Sequence, residues 1–116
     1  MILNLTQHNS STEQIEQGLV EPEDKALVKE LLTLRVNSPE EMRKAIDTKV
    51  QLLLNVADSH RPTTILVGGH PGLIAVLVGE LKFQQYKVVM SHTDRVVVKK
   101  AGVKTSVFKH KFFYEV

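Results

Sequence analysis

The sequence predicts an α/β fold, a small three-layer Rossmann-like domain whose mixed, mostly parallel sheet ends in a C-terminal antiparallel hairpin. The first indication is Thr63–Val67, a β-branched and apolar run without alternation, which is typical of a central strand covered on both faces. The second is that Gly68–Gly69, an apolar helix and another strand follow it, which makes a right-handed βαβ unit. The third is the length of 116 residues, which suits one domain over residues 1–116.

The N-terminal elements are predicted from short local signals. Ile2–Leu5 is apolar and predicts a short buried strand, followed by a polar loop. Ser10 and Glu13 have capping-box spacing, which predicts a helix from about Ser11, and Gly18 is suited to end it.

Two more helices are predicted before the central strand. Pro22 suits the first turn of a helix that runs to about Arg35, with Leu27, Leu31 and Leu34 as its apolar stripe. The next helix has the clearest start, with a serine cap, a proline in the first position and a glutamate that completes the box. Its cap and box residues are Ser38, Pro39 and Glu41; its buried stripe is Ile46, Val50, Leu53 and Ala57; and it ends near Ser59.

The C-terminal part is predicted as one helix and three strands. Leu73–Leu81 is apolar nearly all round and predicts a helix buried on most sides, in which Gly79 permits close packing on the sheet. Strands are expected at Lys87–Ser91, Arg95–Lys100 and Val103–Val116, with a tight turn at Ala101–Gly102. By alternation, one face of the last strand is expected to face the core and carries Phe108, His110, Phe112, Tyr114 and Val116, while Phe113 faces outward.

Composition excludes several classes of function. There is no cysteine, which excludes disulfides, cysteine-based metal centres and thiol nucleophiles. Residues 1–60 hold six Lys or Arg against ten Asp or Glu, whereas residues 61–116 hold nine against three. The basic half suits an anionic ligand, or is a lysine-rich strand edge that resists pairing. No signal segment or membrane span is apparent, so we expect a cytoplasmic protein without a membrane partner.

Three polar loops are expected at the carboxyl ends of the parallel strands, where sheets of this kind bind ligands. The residues proposed to bind there are Thr6, Gln7, His8, Gly68, Gly69, His70, Ser91, His92 and Arg95. Gly68–Gly69 allows a ligand to approach the backbone at the positive end of the next helix, or is simply a tight turn. Arg95 can grip a phosphate, or is a surface arginine paired with Asp94 or Glu115.

Catalysis stays open at this point. His8 and His92 are the candidates for a general base, because histidine titrates near neutrality. The histidine spacing matches no metal motif, and no cofactor or metal is expected. Few aromatic residues and no basic recognition helix argue against sequence-specific DNA as a partner.

Three short motifs resemble those of small uncharacterised proteins of phages, prophages and mobile elements. They are the opening Leu3–His8 with Thr12–Gln14, the Gly68–Gly69 turn, and the closing Val107–His110. The architecture is more loosely similar to CRISPR-associated Rossmann-like proteins that bind cyclic oligoadenylates, some of them ring nucleases. That likeness implies a homodimer with ligand across the strand ends.

Two functions are therefore expected as alternatives. The first is binding of a nucleotide or another anionic, phosphorylated small molecule, a cyclic oligonucleotide included, with ring-nuclease-like chemistry. The second is a non-enzymatic phage or mobile-element accessory protein that acts by protein contact through its C-terminal strand. Phe113 is expected to be exposed in a monomer and buried in a dimer, and a neutral, filled pocket would favour the second function.

Overall fold

The computed structural model describes all residues, 1–116, and the α/β fold class is confirmed. The strands are β1 (Ile2–Leu5), β2 (Leu19–Val20), β3 (Thr64–Val67), β4 (Lys87–Lys100) and β5 (Val103–Glu115). The helices are α1 (Thr12–Glu16), α2 (Lys25–Leu31), α3 (Pro39–His60) and α4 (Pro71–Phe83). The sheet order is β2-β1-β3-β4-β5, in which β5 alone is antiparallel to its neighbour.

The helices divide unequally between the two faces of the sheet. From β1 the chain passes to β2 at the edge of the sheet, and then crosses back past β1 to β3. Because these two crossovers run in opposite directions along the sheet and both are right-handed, their helices lie on opposite faces. Helices α2, α3 and α4 bury the main core, which includes Leu3, Ile65 and Leu77. Only α1 lies on the other face, where a small cluster of Leu19, Leu66 and Val89 is buried. This unequal cover leaves room on the α1 face for a cavity.

Helix α3 begins where the sequence predicts. Ser38 Oγ accepts a hydrogen bond from Glu41 N at 3.1 Å, and Pro39 occupies the first position. The second hydrogen bond of the predicted capping box is shifted by one residue, because Glu41 Oε2 accepts from Asn37 N at 2.9 Å rather than from Ser38 N. The last residue of the helix is His60, and Arg61 caps it with a left-handed φ of 48°.

The first helix and strand β2 differ from the prediction. The capping box is formed one residue later, by Ser11 and Gln14. Gly18 follows the helix with a φ of 96°, which glycine adopts without steric cost. The two-residue strand Leu19–Val20 was not predicted, since it is defined by pairing with β1 rather than by any local run.

The start of α2 was placed too early. The helix is capped by Asp24 rather than begun at Pro22, because the Asp24 side chain accepts from Leu27 N. Val28 and Leu31 are its buried residues, whereas Leu27 is exposed. The helix also ends at Leu31 rather than near Arg35, so Leu34 lies beyond it. Its buried side is the one that packs against α3, which the spacing of leucines alone does not identify.

Helix α4 is buried on one side only, although its sequence is apolar nearly all round. Leu73, Leu77 and Leu81 are fully buried, but Val76 is 39% exposed. A Cβ placed on Gly79 would meet nothing within 4 Å. The expectation of a helix buried on most sides, with Gly79 against the sheet, was wrong because only one face of α4 contacts the sheet and α3.

The strands predicted at Lys87–Ser91 and Arg95–Lys100 are one continuous strand, β4. Its outer part pairs with β5 through the predicted tight turn at Ala101–Gly102, in which both residues have positive φ. We call residues 94–109 the arm. It is a two-stranded ribbon in which most side chains are exposed on both faces.

A β-bulge at Lys111 changes which side chains of β5 share a face. Ser91 pairs with Phe113 and Thr93 with His110, so one β5 residue, Lys111, is left without a partner. His110 and Phe113 therefore lie on the same face, with ring centroids 4.5 Å apart. The prediction by simple alternation was wrong at this point. Phe112 is instead exposed, and Phe113 packs inward against the Leu66 and Val89 cluster, so Phe113 does not discriminate monomer from dimer.

The faces of the arm follow from the same register. Arg95, Val97 and Lys99 of β4 share one face, and their partners there are Phe108, Ser106 and Lys104. The opposite face is rich in valine, with Asp94, Lys100 and Lys109 towards its two ends. Its valines are Val96, Val98, Val103 and Val107, and Thr105 lies among them. No helix of the protein is long and apolar enough to cross a membrane.

Candidate functional site

A cavity of about 520 Å³ opens at the carboxyl ends of β1, β3 and β4. It lies beside the point where the strand order reverses between β1 and β3, which is where open α/β sheets bind ligands. The residues that line it are Thr6, Gln7, His8, Ser11, Gln14, Leu66, Val67, Gly68, Gly69, Met90, Ser91, Thr93, Phe108 and His110.

Six of the nine residues proposed from the sequence line this cavity, from all three loops. They are Thr6, Gln7, His8, Gly68, Gly69 and Ser91. The strand ends bring them together, because β1, β3 and β4 are neighbouring parallel strands.

The other three lie elsewhere, each for a separate reason. His70 caps α4, and its Nδ1 accepts from Gly72 N at 3.1 Å. His92 lies on the opposite face of β4, where it stacks on Phe112 and contacts Asp94 at 3.3 Å. Arg95 is exposed on the arm and forms no ion pair with Asp94 or any other carboxylate; its cross-strand partner is Phe108 at the rim of the cavity.

The loop after β1 is held by a buried asparagine and an ion pair. Asn4 is 1% exposed, and its Nδ2 donates to His8 O and to Glu21 Oε1, both at 2.9 Å. Asn4 Oδ1 accepts from Thr6 Oγ1 at 2.6 Å and from Thr6 N at 3.0 Å. Lys25 Nζ reaches both Thr6 O at 2.7 Å and Glu21 Oε2 at 2.9 Å. These bonds fix Thr6 and the backbone of His8 at the cavity wall.

Glu21 is ionised throughout the ordinary pH range. Burial opposes the charge and raises the pKa, but hydrogen bonds from Ser10, Lys25 and Asn4 outweigh it and lower the pKa of Glu21 to about 2. Ser10 contributes through both its hydroxyl and its backbone N–H. The loop is thus built around one permanent negative charge.

The glycine turn brings backbone close to the cavity. Gly69 has a φ of 147°, which L-residues rarely adopt, and a Cβ on Gly68 would meet Thr6 Cγ2 at 3.4 Å. The turn leads directly into α4, so the positive end of a 13-residue helix lies next to the cavity wall. The start of α4 contributes little directly, because Pro71 has no N–H and Gly72 N already donates to His70 Nδ1. The case for an anionic ligand therefore rests on the backbone of the glycine turn.

Ser91 and His110 form a hydrogen-bonded pair that alternation did not predict. Ser91 Oγ lies 2.5 Å from His110 Nδ1, and His110 Nε2 lies 2.9 Å from Gln17 Oε1. The Gln17 amide is oriented because its Nε2 donates to Lys111 O at 3.2 Å. Gln17 Oε1 can only accept, so His110 Nε2 carries the proton and His110 Nδ1 accepts from the Ser91 hydroxyl.

His110 is 8% exposed, and burial lowers its pKa, which a nearby carboxylate of Glu13 partly opposes. A neutral imidazole is therefore favoured at neutral pH. The sequence held one signal for this residue, a histidine in an apolar and aromatic run, but the bulge that turns it towards Ser91 leaves no local signature. Thr93 lies in the third of the predicted loops and also lines the cavity. The sequence did not indicate Ser11, Gln14 or Phe108, since their places depend on how α1 and the arm pack.

The cavity is open, has more uncharged polar residues than apolar ones along its wall, and carries no formal charge. Its neutrality agrees with the protein-contact function, whereas its open, unfilled space agrees with ligand binding, so the criterion of a neutral, filled pocket is met only in part. None of its lining residues is Lys, Arg, Asp or Glu, and its only titratable side chains are His8 and His110. No group of three or more His, Asp or Glu side chains is placed to share a metal ion.

The fold and the cavity define a small α/β protein with a neutral, polar site at the strand ends. Its sequence matches the model of the uncharacterized protein MJ1673 family over residues 1–114, and the chain belongs to that family. No curated protein and no solved structure matches the chain.

Proposed function

We propose that this protein binds a nucleotide or another phosphorylated small molecule, cyclic oligonucleotides included, in the strand-end cavity. The observation that supports this proposal is the convergence of three strand-end loops on one open cavity beside the reversal of strand order. A volume of about 520 Å³ suits a ligand of nucleotide size.

The proposed contacts divide between backbone and side chains. The backbone of the Gly68–Gly69 turn faces the phosphate, for which N–H groups need no formal charge. The Ser91 hydroxyl and the backbone of Gln7 hydrogen-bond the remainder. The side-chain donors of Thr6 and Gln7 are already engaged, because Thr6 Oγ1 donates to Asn4 Oδ1 and Gln7 Nε2 to Thr33 Oγ1. Phe108 at the rim offers a surface for a base to stack on. Arg95, directly across the ribbon from Phe108, supplies the nearby positive charge.

The experiment is thermal unfolding against nucleotides, cyclic oligonucleotides and inorganic phosphate. A ligand at 100 times its Kd stabilises the fold by about 2.7 kcal/mol, which raises Tm by several degrees. Arg95→Ala is expected to reduce the shift, whereas Lys100→Ala removes the same charge from the opposite face of the arm and is expected to leave it unchanged. A flat Tm across the whole panel would falsify the proposal.

A second candidate function is protein contact in a homodimer. This function is supported by the valine-rich face of the arm, on which the side chains of Val103 and Val98 are 63% and 40% exposed. A two-stranded ribbon is marginally stable in water on its own, so cover over this face would stabilise it. Sedimentation equilibrium tests this: a dimer that Val98→Lys converts to monomer supports it, and a monomer at every concentration refutes it.

The setting proposed with both functions is the cytoplasm of a cell that carries a phage or mobile element. The genes beside this one test that origin. Phage or mobile-element genes there, including CRISPR-associated ones, would support it, and a housekeeping operon would contradict it.

A further inference from the structure

We propose that Ser91 is a nucleophile activated by His110, and that the substrate of the strand-end cavity is a phosphoester. This inference rests on the proposed function, since the phosphorylated ligand is the substrate. It adds a reaction and assigns it to two residues.

The geometry is that of an activated hydroxyl. The Ser91 hydroxyl already donates to His110 Nδ1 over 2.5 Å, so the proton has a base in direct contact. His110 in turn is oriented by Gln17, whose amide is fixed by Lys111 O. Nucleophile, base and orienting group therefore form one chain of hydrogen bonds, and both reacting residues line the cavity.

The surroundings agree with these roles. Ser91 and His110 lie on paired strands, and such elements hold side chains more rigidly than loops do. The base is buried and neutral, and the one charged group that acts on it is Glu13, which favours the protonated imidazole formed during the reaction. The Gly68–Gly69 turn lies in the same cavity and faces the negative charge that develops on phosphorus oxygens.

The step balances without an added reagent. Ser91 Oγ forms a bond to phosphorus, the P–O bond to the leaving alcohol breaks, and the Ser91 proton moves to His110 Nδ1 and then to the leaving oxygen. Water next attacks phosphorus, gives its proton to His110, and the bond to Ser91 Oγ breaks as that oxygen recovers the proton. The products are the alcohol and a phosphate with one ester bond fewer.

The test uses a fluorophosphonate probe on the full chain, because this class of reagent reports an activated serine without knowledge of the substrate. Ser91 Oγ displaces fluoride from phosphorus, and mass spectrometry locates the adduct. Labelling is expected at Ser91, and His110→Gln is expected to slow it about 100-fold or more.

Ser59 is the internal control, because it lies outside the cavity and beside a histidine that cannot act as its base. His60 Nε2 accepts from Glu23 N at 2.9 Å, so His60 Nδ1 carries the proton, and the Ser59 hydroxyl donates to Val56 O at 2.8 Å. Ser59 is expected to stay unlabelled.

Gln17 is assigned as a positioning residue, and its test is a pH profile rather than a rate alone. Gln17→Glu places a carboxylate beside the His110 ring and next to Glu13, so the pH at which labelling reaches half its maximum is expected to rise. Gln17→Ala is expected to slow labelling without that rise. A glutamine that only supports the fold would leave the labelling rate of folded Gln17→Ala at the wild-type value, and that result would overturn the positioning role.

The outcomes separate the two proposals. No adduct at Ser91 in a protein that circular dichroism shows to be folded, or equal labelling of Ser59 and Ser91, overturns the nucleophile. If the nucleotide-induced Tm shift persists in that case, the cavity binds without this chemistry. If Ser91 is labelled but no nucleotide raises Tm, the nucleophile stands and the proposed ligand is wrong.

Discussion

Glu21→Gln tests how the loop after β1 is held. The substitution keeps the shape of the side chain but removes the charge that Ser10, Lys25 and Asn4 share. The pKa of Glu21 lies at about 2 against an ordinary 4.5, a difference worth about 3 kcal/mol at 1.36 kcal/mol per unit. The side chain is 37% exposed, so solvent screening reduces this to about 1–2 kcal/mol.

The pH dependence has a definite sign. The folded-state pKa is depressed, so the contribution of Glu21 is fully present above pH 4.5 and is lost as pH falls towards 2. Urea unfolding of the wild type and of Glu21→Gln at pH 7, 4 and 3 measures it. The variant is expected to be about 1–2 kcal/mol less stable at pH 7, with Tm lower by about 4–8 °C, and the gap narrows as pH falls.

Glu23→Gln is the matched control, since Glu23 is exposed and its carboxylate forms no ion pair. It is expected to change stability by less than about 0.5 kcal/mol. A stability gap for Glu21→Gln that is the same at pH 7 and pH 3 would refute the reasoning, because it would mean that the charge is not what holds the loop.

Three further predictions concern helix α4 and a tyrosine packed against the core, each measured by urea unfolding at pH 7, and for Tyr86→Phe also up to pH 12. Leu77→Ala empties a fully buried site and is expected to cost about 2–5 kcal/mol, while Val76→Ala on the exposed side costs far less; equal losses would contradict the one-sided packing of α4. Gly79→Ala adds a Cβ that meets nothing and is expected to stabilise the helix by about 0.5–1 kcal/mol; a loss would place a neighbour there. The Asp58 carboxylate accepts from Tyr86 at 2.6 Å and raises the pKa of Tyr86 to about 12, so Tyr86→Phe is expected to lose about 1 kcal/mol at pH 7, an amount that shrinks as pH rises from 10 through 12.

The parts of the fold that the sequence predicted are those fixed by local chemistry. Ser38 and Pro39 define the start of α3 by their own capping geometry, and Ala101–Gly102 defines its turn by positive φ. The run Thr64–Val67 is central because it is apolar on both faces. In each case the residues whose types predict the element are the same residues that form it.

The parts that the sequence did not predict depend on distant partners. Strand β2 is two residues long and exists only through pairing with β1. Ser91–Arg95 reads as a polar loop, yet it continues β4 because β5 pairs along its whole length. The sequence predicted the cavity residues that follow the converging strand ends. It did not predict Gln14 and His110, which α1 and β5 bring to the cavity.

The bulge at Lys111 also determines the direction in which the arm leaves the sheet. A bulge bends its strand and increases the local twist, and everything beyond it turns as one unit. Phe108 lies beyond the bulge, whereas Gly68 lies on the fixed body, so the width of the cavity mouth between them depends on one unpaired residue outside the cavity. Deletion of Lys111 would restore simple alternation, so Phe108 and His110 would turn to the opposite face of the sheet and leave the cavity. Related chains that keep a hydrogen-bonded serine and histidine at the positions of Ser91 and His110 are therefore expected to keep one residue between His110 and Phe112.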